Sequence, residues 1–151
     1  MSSFALNDVA LKAGDTATVT LVFSEAVTGF SSGDDITVAN GSLGTMSSSD
    51  NITWTGTFTP STNTEDATNT ASLGTSYTDV AGNAGPGGTS ANYTVDTRAP
   101  TVSSFALSDV ALKTGDTATV TLVFSEAATA FDSDDDITVA NGSLGTMSSS
   151  D

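Results

Sequence analysis

Thr16-Ala17-Thr18-Val19-Thr20-Leu21-Val22-Phe23-Ser24 decides the fold. In an extended chain Ala17, Val19, Leu21 and Phe23 share one face and mostly Thr and Ser the other, the period-two pattern of a half-buried strand. Working outward, Ser3 to Asn7 reads as a shorter strand and Lys12-Ala13-Gly14-Asp15 as the turn between the two. Asp35-Ile36-Thr37-Val38-Ala39 is a third strand. It runs into Asn40-Gly41, a strong hairpin signal, and out through Ser42 to Met46. Asn51 to Thr59 alternates again, with Ile52, Trp54 and Phe58 inward and Thr53, Thr55 and Thr57 outward, which makes the two aromatic residues core. Pro60 through Ala67 is a polar connection. Asn69 to Thr78 and Ser90 to Asp96 supply the last two strands, with a glycine-rich loop, Asp79 to Gly88, between them. The expectation is an all-β protein, a seven-stranded antiparallel immunoglobulin-like β-sandwich.

Residues 2–50 return at 103–151, a period of 101 residues, with six of 49 paired positions different: Asn7/Ser108, Ala13/Thr114, Val27/Ala128, Gly29/Ala130, Ser31/Asp132 and Gly33/Asp134. That period suits one whole domain per repeat rather than a solenoid turn. The chain therefore divides into a complete repeat over 1–97, a short stiff joint over 98–102 and the N-terminal half of a second repeat over 103–151. Pro100 stiffens the joint by fixing its own φ and biasing Ala99 towards an extended conformation. With seven antiparallel strands, the incoming chain, loop Ser24–Asp34, turn Ser48–Asn51 and the glycine-rich loop gather at one pole. Lys12–Asp15, the Asn40-Gly41 turn, loop 60–68 and the outgoing Asp96 gather at the other. Copies must then string head to tail.

Eighteen acidic residues stand against Lys12, Arg98 and Lys113, a net charge of −15. Neither a nucleic-acid backbone nor an anionic membrane is a partner for such a surface. No apolar run reaches transmembrane length, and Met1-Ser2-Ser3-Phe4 has no secretory n- or h-region. Histidine and cysteine are absent, which removes Ser-His, Cys-His and His/Cys zinc chemistry. A carboxylate pair for glycoside hydrolysis would need a cleft that a small sandwich lacks, so the chain is read as no enzyme. Asn40, Asn51, Asn92 and Asn141 open Asn-x-Ser/Thr sequons that matter only in a secretory host.

The oxygen donors suit calcium, which takes six to eight oxygens. Asp132, Asp134 and Asp136 have the 1-3-5 spacing of an EF-hand loop, but Ile137 occupies the turn-glycine place and no Glu follows at position 12. The polar arrangement says more. Asp96 leaves the lower pole of one repeat beside the upper pole of the next, where Glu126 and Asp135 or Asp136 are expected. Glu25, Asp34, Asp35, Asp79 and Asn83 occupy the equivalent pole of the first repeat. Such donors repel one another without a cation. The competing reading is that Asp79 and Asn83 shape a turn and Glu25 ends a strand.

Val22-Phe23-Ser24-Glu25-Ala26-Val27-Thr28-Gly29-Phe30, Asp35-Ile36-Thr37-Val38-Ala39-Asn40-Gly41, Thr78-Asp79-Val80-Ala81-Gly82-Asn83-Ala84 and Val95-Asp96-Thr97-Arg98-Ala99-Pro100 together resemble the bacterial immunoglobulin-like repeat of giant Gram-negative surface adhesins, including biofilm-associated and RTX-type ones. The resemblance implies a structural extender on the bacterial surface, exported by a type I route and stiffened by calcium where domains meet. Asp96 would be the joint ligand, Glu126 the acceptor-side ligand, and Asp79 and Asn83 part of the equivalent site above the first repeat. No junction site would be complete within one chain. A binding module acting by avidity on a glycan or protein is the alternative. Residues 103–151 hold four strands and cannot close a sandwich alone. Residues 97–102 reach at most about 20 Å, too short for exchange within one chain, so loose order or domain swapping between chains is expected.

Overall fold

The alternation across residues 16–24 survives in three dimensions: Ala17, Val19 and Leu21 are at most 1% exposed, and Thr18 faces solvent. The structure, a computed structural model, describes residues 1–149 and falls into two compact units, Met1–Ala99 and a second beginning at Pro100. The first unit runs β1 (Ser3–Leu6), β2 (Ala10–Lys12), β3 (Ala17–Val22), β4 (Val27–Thr28), a single helical turn α1 (Ser32–Asp35), β5 (Ile36–Val38), β6 (Gly41–Leu43), β7 (Thr53–Pro60), β8 (Glu65–Asn69), β9 (Ala71–Leu73), β10 (Thr78–Asp79), β11 (Gly88–Thr89) and β12 (Tyr93–Asp96).

One sheet has the order β1-β3-β7-β6 and is antiparallel throughout. Against it lies a layer broken into three short ladders, β4-β10, β5-β9-β11 and β8-β12-β2. β8, β9 and β10 follow one another along the chain, as do β11 and β12, so the three ladders are linked through consecutive strands. Phe4, Val19, Leu21 and Phe58 from the first sheet meet Leu11, Ala71, Leu73, Tyr93 and Val95 from the second in a single core. The first unit is an immunoglobulin-like β-sandwich.

Two local readings need correction. The sandwich is not wholly antiparallel: β2 pairs parallel with β12, Leu11 opposite Val95. After β1 the chain turns at Asp8, whose carboxylate accepts from the Ala10 N–H at 3.0 Å, and Leu11 enters the core at 1% exposed. Three residues with one buried side chain are too short to show a period. Asn40-Gly41 is also no hairpin, since β5 pairs with β9 and β6 with β7, so the turn crosses between sheets. Only Asn40 has positive φ (49°), whereas a two-residue type I′ hairpin needs it at both positions. Gly41 serves packing instead. A Cβ there would lie 2.2 Å from the Phe58 ring.

The second unit contains β13 (Val102–Leu107) antiparallel to β14 (Val120–Phe124), and the turn α2 (Ser133–Asp136). Of its four expected strands, only these two form among the described residues. In the first unit β5 and β6 are held by β9 and β7, which come from residues 53–73, and the described part of the second unit has no such stretch. Phe105 is accordingly 56% exposed where Phe4 is 7%, and Leu112 is 49% exposed where Leu11 is 1%.

Candidate functional site

The first unit has two poles. At one, Ser2 N–H donates to the Val22 carbonyl at 2.7 Å, Val27 N–H to Asn51 at 3.0 Å, and the Thr28 and Thr78 hydroxyls meet at 3.0 Å. The incoming chain, residues 24–34, the 48–51 turn and the 79–88 loop therefore lie together. At the other, Thr97 N–H donates to the Thr64 carbonyl at 2.8 Å, and its hydroxyl accepts from Thr64 N–H and donates to Ser61. Ser61 N–H in turn donates to Asn40. The chain arrives at one pole and leaves at the opposite one.

The joint is pinned on both sides. Arg98 pairs with Glu65 at 3.7 Å, an exposed contact worth about 0–1 kcal/mol. In the second unit, Thr101 and Ser125 exchange bonds of 2.9 and 2.8 Å. Arg98, Ala99 and Pro100 are all that separate the anchored Thr97 from the anchored Thr101.

Most aspartates have a local occupation. Asp8, Asp15, Asp35, Asp50, Asp66, Asp79, Asp109, Asp116, Asp132 and Asp136 each accept from a backbone N–H two to four residues away. These are turn-forming bonds of the kind short acidic side chains favour. Two of the EF-hand-like trio are thereby explained: Asp132 accepts from Asp134 N–H and caps α2, while Asp136 accepts from Asp132 N–H and closes the turn.

The nine expected ligands sort accordingly. Asp79 and Asn83 lock onto each other, with the Asn83 amide 2.7 Å and its backbone N–H 2.8 Å from the carboxylate. Asp35 is turned inward at 4% exposed, accepting from Ser31 N–H and the Ser76 hydroxyl. Asp136 is held in its helical turn. Glu25, Asp34, Asp96, Glu126 and Asp135 have no hydrogen-bond partner for their carboxylates among the described residues, and none of the five is buried. Glu25 and Asp34 correspond to Glu126 and Asp135 one period later. Among the described residues no three acidic side chains come together as a group able to hold a metal ion.

The glycine-rich loop wraps a tyrosine that sequence reasoning passed over. Tyr77, 1% exposed, donates its hydroxyl to the Pro86 carbonyl at 2.7 Å, and a Cβ on Gly85 would fall 1.9 Å from its ring. Phe30 lies against Phe23, Trp54 and Tyr77, so the aromatic residues of this pole face inward. Burial, helped by the Asp35 charge, raises the Tyr77 pKa.

The Asn83 amide and then its N–H hold Asp79 below the ordinary carboxylate value of 3.8, and the Thr53 and Ile52 N–H groups do the same for Asp50. A folded pKa below the unfolded one means that each contribution is present above the unfolded value and lost as pH falls through the folded one. Carboxyl-carbon NMR should place the Asp79 midpoint below 3.8, and Asn83→Ala should move it back up. An unmoved midpoint would contradict this turn geometry.

A groove beside Lys12–Asp15 and another in the second unit each contain one carboxylate, Asp15 and Asp136 respectively, so neither offers an acid–base pair. No helix among the described residues is long and apolar enough to cross a membrane. No curated protein and no solved structure matches the chain. The family profile described as a bacterial Ig-like domain matches it twice, over residues 2–95 and 96–151. With a sandwich in the first unit and the same hairpin begun again in the second, the chain belongs to the bacterial Ig-like domain family.

Proposed function

We propose that this chain is a spacer: part of the extender region of a large bacterial surface adhesin, exported by a type I route, that holds distal binding modules away from the cell. The observation that carries the reading is the placement of the incoming and outgoing chain at opposite poles of the first unit. Each added copy then contributes length. A joint with three residues between anchors supports stiffness, as does Pro100 within it. The rival, an adhesion module binding by avidity, calls for an exposed aromatic pole. In the first unit the large apolar side chains left exposed are Val9 and Val80, neither of them aromatic.

Calcium at the joint is part of the proposal, with a narrowed ligand set. Asp96, Glu126 and Asp135 are free of local bonds and offer hard carboxylate oxygens, whereas Asp136 is committed to its turn. Calcium would neutralise charge there and restrict bending, while neighbouring repeats of the same chain act as its structural partners.

Polypeptides of two, three and four repeats should lengthen by roughly 35–45 Å per repeat in small-angle scattering, from strands of about 27 Å plus loops at both ends. With calcium the melting temperature should rise and the maximum dimension increase, and a chelator should reverse both. Lengths that grow per repeat without any calcium response would leave the spacer and remove the cation. Compact particles that do not lengthen would remove the spacer.

A further inference from the structure

We propose that Asn40 is a site of spontaneous modification that opens only when the first unit unfolds: water then converts it to aspartate and isoaspartate, and the altered chain refolds to a weaker sandwich. This holds whether or not the chain is a spacer.

The chemistry is that of an asparagine followed by glycine, and Asn40-Gly41 is the one such pair in the first unit. The Gly41 nitrogen attacks Cγ of Asn40. A five-membered imide forms as the Cγ–Nδ2 bond breaks, and ammonia leaves with the proton that the Gly41 nitrogen gives up. Water then opens the ring at either carbonyl. One opening leaves aspartate, and the other routes the main chain through the former side chain. Glycine favours the attack because no Cβ crowds the approach.

The fold has a use for both residues. A Cβ on Gly41 would lie 2.2 Å from the Phe58 ring and 2.7 Å from the Thr59 carbonyl oxygen. Asn40 has a φ of 49°, in the left-handed region that asparagine enters more readily than most residues. Its amide donates to the Asp66 carboxylate at 2.8 Å and to the Asn69 side-chain oxygen at 2.6 Å. A labile pair is thus retained by packing and hydrogen bonding.

The same contacts silence the reaction. A carboxamide tied to two residues of β8 is not free to close on its own neighbour. The peptide bond under attack is pinned as well: the Asn40 carbonyl accepts from Ser61 N–H at 2.9 Å, and Gly41 pairs with Pro60 at the start of β6. Ring closure has to wait until β6, β7 and β8 part.

The product cannot restore these bonds. An aspartate at position 40 brings Asp66 and Asn69 a third acceptor in place of their shared donor. Two carboxylates then stand together, and the oxygen of Asn69, a residue 1% exposed, goes unsatisfied. Isoaspartate lengthens the main chain at the crossover between sheets and shifts Gly41 from its place against Phe58. Unfolding therefore leaves a chemical trace that weakens the next folded state.

The test holds the intact chain in warm, mildly alkaline buffer across a urea series, with a peptide of residues 37–44 in the same solutions as the unshielded reference. Peptide mapping with isoaspartate detection follows position 40. Without urea, Asn40 in the chain should react roughly a hundredfold or more slowly than in the peptide, and it should reach the peptide's rate only as the first unit unfolds. Chain aged in urea and returned to buffer should melt lower in step with its modification. Asn40→Asp should lower the melting temperature of the first unit by roughly 4 °C or more, or prevent it from folding. Equal rates in folded chain and peptide would overturn the proposal. So would a rate that reaches the peptide's before the first unit unfolds, or an aged chain that melts with the unmodified one.

Discussion

Leu21→Ala is expected to lower the stability of the first unit by about 2–5 kcal/mol, while Leu122→Ala leaves that transition unmoved. The two substitutions are chemically the same, made one period apart in matching sequence. What differs is surroundings. Leu21 is 0% exposed, stands opposite Phe4 and Trp54 in the centre of the first sheet, and faces the second sheet across the core. Removing it costs the transfer of three carbons from water and leaves a cavity that neighbouring strands cannot fill. Leu122 is only partly buried, in a hairpin without a facing layer, so most of its apolar surface already meets water. For a unit of about 100 residues, 2–5 kcal/mol corresponds to a melting shift of roughly 8 °C or more. Calorimetry on the two variants decides it. Equal shifts would mean that the second unit closes a core of its own.

The second large effect concerns a polar residue. Asn69→Ala should destabilise the first unit by about 2–4 kcal/mol, because the buried Tyr93 carbonyl and the half-buried Asp66 carbonyl lose this donor at once. Asn69 is 1% exposed at the break between β8 and β9. Its amide donates to the Asp66 carbonyl at 2.9 Å and the Tyr93 carbonyl at 3.1 Å, and its oxygen accepts from Asn40 at 2.6 Å. Alanine fills part of the space but satisfies none of these groups. Asn69→Asp should be worse at neutral pH: it loses the donor and places a charge beside Asp66, which shares the Asn40 amide. That buried carboxylate would titrate above its unfolded value, so its penalty should shrink as pH is lowered. Urea unfolding of both variants at two pH values is the check. A neutral Asn69→Ala would show that water replaces the network.

Much of the fold is legible from the residues alone, for a physical reason. Where a strand is half buried and six or more residues long, as at 17–22 and 53–60, period two is enforced by burial and can be read off. The Ala10–Lys12 stretch escapes because a single inward residue, Leu11, carries no period. Asn40-Gly41 misleads because the glycine answers to the Phe58 ring rather than to a hairpin. The break at Asn69 is silent because its logic lies in hydrogen bonds to Asn40 and Tyr93, distant in sequence.

The acidic residues are harder still. An aspartate closing a turn and one awaiting a cation are the same residue, and only the position of a nearby N–H separates them. Asp79 and Asn83 were separable in principle: a five-residue span with glycine at position 82 (φ 91°) is a turn signal as much as a ligand pair. Asp96, Glu126 and Asp135 are distinguished only by having no such bond.

A spacer requires the first unit to take the chain in at one pole and release it at the other. The protein has no cysteine, so Ser2→Cys with Arg98→Cys gives two unique labelling sites. A pulsed dipolar distance between spin labels there should centre at about 30 Å or more, since the eight residues of β7 alone span about 26 Å. A distance below about 20 Å would put both ends at one pole, and repeats joined that way could not add length.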